Sequence, residues 1–154
     1  SDVYKRQELL ARRVIGEIPR YISIKEYDVS VTKDDKEKII SKAKANLEVD
    51  GEKIVCEGEG NGPVHALDNA IRKNVDKIGK YSEYLKDLKL VDYKVRILNT
   101  GTEAVTRVSI ESTDSQGKNW FTIGVSANII DASFKALIDS LDYKLFKDKA
   151  PASL

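Results

Sequence analysis

Apolar and polar positions alternate through the first third of the chain and then switch to helical spacing. Tyr27, Val29 and Val31 are separated by polar residues, the period of two that marks a half-buried strand. A turn is expected at Lys33 to Lys36. The next strand is cleaner, with Ala43, Ala45, Leu47 and Val49 on one face and Lys42, Lys44, Asn46 and Glu48 on the other. Asp50-Gly51 then predicts a tight hairpin, because a type I′ turn needs positive φ at both central residues. A third strand is expected over Lys53 to Glu59. Beyond Gly58-Glu59-Gly60-Asn61-Gly62-Pro63, the residues Val64, Leu67, Ile71, Val75 and Ile78 recur at helical spacing. Pro63 suits the first helical position, where its missing N–H costs nothing, and makes Gly62 the N-cap.

The same order of elements returns 66 positions later. Tyr27 maps to Tyr93, Val29 to Val95, Gly51 to Gly117, Gly58 to Gly124, Gly62 to Asn128, Ala66 to Ala132 and Ala70 to Ala136. No insertion is needed between them, and the repeat reads as an internal duplication. The second helix is expected to start at Asn128 as N-cap, with Asp131 completing a capping box, and to bury Ile130, Phe134, Leu137 and Leu141. One feature disagrees. The apolar parity of the second strand is odd in the first copy, whereas Ala104, Val108 and Ile110 are even, which predicts a bulge or register change.

Each three-stranded sheet with one helix has a single face to bury, so the two units should join in an α+β domain of two βββα units, and a second chain is expected to pair with it. The expected organisation is a junction segment over 1–20, a domain over 21–149 and a tail over 150–154. Unit one runs about 21–86 and unit two about 87–147. Residues 8–20 should form a short helix leading into a linker, and 1–7 are set aside from the fold.

Composition narrows the function. The 154 residues suffice for one autonomous core. Twenty-six basic and 25 acidic side chains leave a net charge of +1, which does not suit a chain built to track nucleic acid. The run Lys33 to Lys44 is punctuated by Asp34, Asp35 and Glu37 and reads as a wet hairpin. No apolar run is long enough to span a membrane, and a cytoplasmic location is expected. One cysteine and one histidine, Cys56 and His65, do not make a metal site by themselves. Cys56 reads as a small buried hydrophobe, His65 as an exposed first-turn residue or a polar ligand contact, and Glu57 and Glu59 as a solvated strand face. Tyr81 and Tyr84 read as covers on the core. Absence of methionine suggests a piece of a longer product.

Glycine-rich backbone ends a strand and opens a helix, leaving main-chain N–H groups at a partly positive terminus where a carboxylate could bind. Glycine at 58, 60 and 62 would permit close approach, and Val64, Leu90, Tyr93, Ile97 and Ala104 could line an apolar slot. A charged head and aliphatic tail describe an amino acid. The loop can equally be a plain strand-to-helix turn.

Four stretches, GEGNGPVHALDNAIRK (58–73), LVDYKVRIL (90–98), GTEAVTRVSIES (101–112) and WFTIGVSANIIDASFKALIDSLDYKL (120–145), resemble the regulatory, dimerisation domain of isopropylmalate and citramalate synthases. The last stretch, with ELLARR (8–13), leans toward citramalate synthase. The resemblance implies two βββα units, a homodimer, and feedback inhibition by isoleucine or leucine within branched-chain amino-acid biosynthesis. It also implies a catalytic TIM barrel elsewhere in the parent chain, with no catalytic site, metal or cofactor in this domain and no nucleic-acid or membrane partner. Carried over by position, the effector site falls on Gly60, Asn61, Gly62, Val64, Leu90, Tyr93, Ile97, Ala104, Thr106, Ala127 and Asn128. A purely structural dimerisation module without ligand is the alternative.

Overall fold

The computed structural model describes residues 20–74, 81–100 and 103–149. The expected junction helix at 8–20 and the helical positions Val75 and Ile78 therefore fall almost wholly outside the described residues. Two three-stranded antiparallel sheets are each followed by a helix. The first unit holds β1 (Ile22–Lys33), β2 (Ile39–Val49), β3 (Glu52–Gly60) and α1 (Pro63–Lys73). A short helix, α2 (Ser82–Leu85), leads to β4 (Lys89–Thr100), β5 (Glu103–Thr113), β6 (Asn119–Ser126) and α3 (Ile129–Lys147). The sheet orders are β1-β2-β3 and β4-β5-β6, so each is a simple meander.

The turn chemistry matches the sequence pattern. Asp50 and Gly51 have φ of 54° and 80°, the two positive values the two-residue hairpin requires, and Val49 pairs with Glu52 across it. α1 begins at Pro63 behind Gly62, and α3 begins behind Asn128, whose side chain accepts hydrogen bonds from the N–H groups of Ile130 and Asp131 at 2.8 and 3.1 Å. The capping box expected there is not closed by Asp131. The Asn128 N–H donates instead to Ser126 Oγ at 3.2 Å, and Asp131 reaches toward Tyr27 and Lys135.

Both units share a register irregularity. The β1–β2 ladder slips between Ile24 and Glu26, and the β4–β5 ladder between Leu90 and Asp92, which is the same place 66 residues on. The 66-residue offset does not hold throughout, however. Ala43 pairs with Val29 and Gly58, and its counterpart between Val95 and Gly124 is Val108, an offset of 65. The first hairpin of unit two is one residue shorter and its second one residue longer. Lys33 pairs with Ile39 whereas Asn99 pairs with Ala104, and Glu48 pairs with Lys53 whereas Thr113 pairs with Asn119. Unequal turns, rather than a bulge within β5, thus explain why its apolar residues are even-numbered.

The inward face of β2 and β3 (Ala43, Ala45, Leu47, Ile54, Cys56) lies under α1, and that of β5 and β6 (Val108, Ile110, Trp120, Thr122) under α3. The helices also touch each other, and α3 reaches across to β1, where Phe134 meets Tyr27 edge-on with ring centroids 4.7 Å apart. Leu67 of α1 and Leu137, Leu141 and Leu145 of α3 are fully buried. Burial of each such side chain stabilises the fold by about 1.5–3 kcal/mol. Cys56 is buried as expected of a small hydrophobe, and Tyr81 packs edge-on against Tyr21.

Close approach of helix to sheet sets the role of two glycines. A Cβ on Gly58 would fall 2.3 Å from the Ala70 nitrogen, and one on Gly124 would fall 1.9 Å from the Ala132 carbonyl oxygen. Gly60 is used the same way, against Ala66 and His65. The close backbone approach expected at Gly58 and Gly60 is that of α1 to the sheet. Of the three glycines in this stretch, Gly62 has open space where a Cβ would stand.

Candidate functional site

A groove of about 600 Å³ lies between the first turns of α1 and the start of β4. Gly62, Pro63, Val64, His65, Asp68 and Arg72 form one wall, and Lys89, Leu90, Val91, Asp92 and Tyr93 the other, with Ile110 contributing from β5. Val64, Asp68 and Arg72 follow one another at intervals of four, so one helix face supplies an apolar, an acidic and a basic group in sequence.

Several of these groups hold the groove's shape. Arg72 Nε donates to Asp68 at 2.9 Å while Nη2 donates to the Leu88 carbonyl. The guanidinium therefore ties α1 to the chain that enters β4. Asp68 is mostly buried and satisfied by that pair, whereas Asp92 is exposed, accepts from the Tyr93 N–H at 2.9 Å and sits 3.6 Å from Lys94. His65 is exposed at the rim.

The α1 terminus at the end of the groove is chemically open. Gly62 has no side chain to cap it, and its carbonyl accepts only the ordinary helical bond from Ala66, at 2.9 Å. The first turn also contains no acidic residue. Its N–H groups and the positive end of the helix dipole thus lie at the groove with no acidic side chain in the first turn to occupy them, Asp68 being paired with Arg72 and Asp92 standing on the opposite wall. Such a terminus favours a carboxylate by about 0.3–1 kcal/mol, more where partly buried.

A second groove of about 460 Å³ occupies the matching place between β1 and α3, lined by Ile24, Glu26, Tyr27, Asp131, Phe134 and Lys135 among others. Its chemistry is different. Asn128 already caps the helix, the Tyr27 ring lies on Phe134, and the Tyr27 hydroxyl donates to Asp131 at 3.4 Å. Burial of Asp131 would raise its pKa, but hydrogen bonds from Ser126, Lys135 and Tyr27 together with the Lys135 charge outweigh this and lower it. Burial and the Asp131 charge raise the Tyr27 pKa.

The residues singled out from the sequence divide into two groups. Gly62, Val64, Leu90 and Tyr93 line the first groove, and Gly60 and the exposed Asn61 precede it directly. Ile97, Ala104, Thr106, Ala127 and Asn128 lie elsewhere, at the far end of the second sheet. Ile97 pairs with Thr106, Thr106 with Ser126, and Ala127 and Asn128 follow β6 into α3. Tyr93 and Ile97 are four steps apart along the strand, about 13 Å. Among the described residues, the groove lined by Gly62, Val64, Leu90 and Tyr93 takes in none of the second group. Tyr93 links them, because its hydroxyl lies 2.9 Å from Ser133 Oγ in the second turn of α3.

Sequence reasoning missed Asp68, Arg72, Lys89, Asp92, Ile110 and Ser133. The helical spacing from Val64 was available to find Asp68 and Arg72. Nothing local pointed to Ser133, forty residues from its partner.

The family model described as LeuA allosteric (dimerisation) domain matches residues 4–145. The chain belongs to this family. It is 43% identical to an (R)-citramalate synthase of Geobacter sulfurreducens and 44% identical to one of Aquifex aeolicus, in each case over 92% of this chain and 27% of the relative. A 2-isopropylmalate synthase of Clostridium acetobutylicum is 34% identical over 80% of this chain and 21% of its own length. The chain thus spans about a quarter of the length of the curated relatives it matches. Among the described residues no group of three or more His, Cys, Asp or Glu could hold a metal ion, and no helix is long and apolar enough to cross a membrane.

Proposed function

We propose that this chain is the regulatory domain of a citramalate synthase, binding isoleucine, with leucine as the related alternative, to give feedback inhibition of a catalytic barrel in the same parent chain. The observation that carries the reading is the uncapped α1 terminus facing the apolar wall of Leu90 and Tyr93. An amino acid would place its carboxylate on the N–H groups of Val64 and His65 and its ammonium near Asp92. Its branched tail would lie among Val64, Leu90 and Ile110.

A second copy of the chain is part of the proposal. Val91, Tyr93, Val95 and Ile97 are all exposed along β4, with Ile97 at 66%. A partner laid over this strand would cover them. It would also bring the group at Ile97, Ala104, Thr106, Ala127 and Asn128 of one chain toward the Gly60 to Val64 segment of the other, uniting the residues that lie apart in a single chain. The domain itself would then need no cofactor, and catalysis would belong to the rest of the synthase.

Isothermal titration of the full-length protein with isoleucine, leucine and valine tests this directly. Saturable heat with isoleucine or leucine is expected. A folded dimer that binds none of the three would instead be a structural dimerisation module.

A further inference from the structure

The opposite end of α3 from the candidate site is joined to the point where the chain enters the domain. The Asp142 side chain is fully buried, and its Oδ1 accepts hydrogen bonds from the N–H groups of both Tyr21 and Ile22, at 3.2 and 3.1 Å. Its Oδ2 lies 3.3 Å from Arg20 Nη1, and the same guanidinium nitrogen reaches Asp139 at 3.4 Å. Arg20, Tyr21 and Ile22 are thus held by one face of a helix roughly 120 residues away in sequence, at the point where β1 begins its ladder with β2 through Ile22 and Val49. Tyr21 is also buried, edge-on against Tyr81 with centroids 5.4 Å apart.

A carboxylate is costly to bury and is retained only with its bonds satisfied. An apolar side chain would fill the same space. What the carboxylate adds is direction, because two main-chain N–H groups and a guanidinium fix the entering chain relative to α3. At the other end of the same helix, Asn128 forms the N-cap and Ser133 meets the hydroxyl of Tyr93. The 19 residues of α3 make a rod about 28 Å long. Its buried face is packed against β5, β6 and α1, where displacements are transmitted rather than absorbed.

We propose that α3 is the element that carries the effector signal, and that the Asp142 contact with Arg20, Tyr21 and Ile22 is the joint passing it to the preceding part of the chain. This rests on the effector reading of the groove. An effector that favours one position of α3, through Tyr93 and Ser133, shifts the population of that position and with it the angle at which the chain leaves toward the barrel. Arg20 and Asp142 are positioning residues, and neither needs to touch the effector.

The test uses the full-length protein. Hydrogen exchange is followed at the Tyr21 and Ile22 amides with and without saturating isoleucine, and a severalfold change in their exchange is expected. Arg20→Ala and Asp142→Asn each keep an acceptor for the two amides, so the fold is preserved while the ion pair is lost. Both should bind isoleucine within about twofold of the wild-type affinity, yet need at least fivefold more isoleucine for half-inhibition of acyl-CoA condensation, since allosteric couplings span roughly 5- to 150-fold. Isoleucine binding that leaves Tyr21 and Ile22 exchange unaltered, or variants inhibited like the wild type, would overturn the joint alone. A wild-type protein that binds none of isoleucine, leucine and valine would overturn the effector reading and the joint with it.

Discussion

Gly62 and Asn128 stand at the same place in their units, 66 positions apart, and differ in one consequence: Asn128 caps its helix through two hydrogen bonds, whereas Gly62 leaves α1 without a side-chain cap. Gly62 has φ −153° and ψ 173°, extended backbone that any residue adopts, and a Cβ there would meet nothing within 4 Å. Gly62→Asn should therefore import the second unit's cap into the first. The new cap is expected to stabilise the domain by roughly a few tenths of a kcal/mol. It would occupy the N–H groups offered to a carboxylate, so isoleucine affinity should fall about tenfold, or ~1.4 kcal/mol. Thermal melts and titration read the two effects separately. Higher stability with undiminished affinity would remove the α1 terminus from the binding site.

Gly124 and Ala132 define the closest approach of helix to sheet. Gly124→Ala would drive a methyl into the Ala132 carbonyl, a backbone atom that cannot move without shifting α3. Overpacking of this kind costs about 1–3 kcal/mol and sometimes more. Gly58→Ala meets backbone at Ala70 and should behave alike. Urea denaturation measures both, and a midpoint unchanged from wild type would show the helices are free to lift from the sheets.

Local chemistry made much of this fold readable in the sequence. Asp50-Gly51 specified its own turn, and Pro63 and Asn128 marked both helix starts. What was hidden depended on residues distant in sequence. The role of Gly58 is visible only once Ala70 lies on it. The even parity of Ala104, Val108 and Ile110 announced the register change in β5, but its cause, two hairpins of unequal length, shows only in the strand pairing. The candidate site was half legible for the same reason. Gly62, Val64, Leu90 and Tyr93 converge within one chain, whereas Ile97 and Asn128 lie on another surface.

Ile97 is the most exposed of the apolar residues on β4, so a charge there costs the isolated fold little. In a dimer that covers β4 the same charge would be desolvated without a partner. Ile97→Asp should leave the melting temperature of the monomer within a few degrees and convert dimer to monomer in light scattering. A variant that remains dimeric at micromolar concentration would place the interface elsewhere.

Tyr93 contributes a hydroxyl to Ser133 and a ring to the groove. Tyr93→Phe removes only the hydrogen bond, worth about 1 kcal/mol, and should preserve most of the affinity. Tyr93→Ala removes the wall as well and should weaken isoleucine binding clearly while the dimer persists. Equal affinities for all three proteins would take Tyr93 out of the site.

Lys144 binds three separate parts of the second unit at the C-terminal end of α3, and its removal should be the most costly single change away from the groove. Its ammonium is buried 3.1 Å from Asp87 and 3.4 Å from Asp114, and also contacts Asp148, while Lys147 lies 2.5 Å from Asp114. Burial would raise the Asp87 pKa, but hydrogen bonds from Ser115 and Lys144 outweigh it and hold the group at about 2. Asp114 is lowered too, with burial again opposed by Lys147 and Lys144. A carboxylate whose folded pKa is depressed contributes stability above its unfolded value, near 3.8 for Asp87, and loses that contribution as pH falls toward about 2. For Asp87, a third exposed and therefore partly screened by solvent, this amounts to at most about 2 kcal/mol. Lys144 works in the other direction. Burial would lower its pKa, but Asp148 and Asp87 raise it above 10.5, so its contribution is complete below that value and disappears only as pH climbs through the higher folded value. Lys144→Met leaves Asp87 and Asp114 without their shared cation and should cost about 3–5 kcal/mol at neutral pH. It should also flatten the loss of stability between pH 4 and 2, because the carboxylates then titrate nearer their ordinary range. Denaturant midpoints measured across that window compare the two proteins. Parallel acid profiles for wild type and Lys144→Met would show that Lys144 does not set the ionisation of these aspartates.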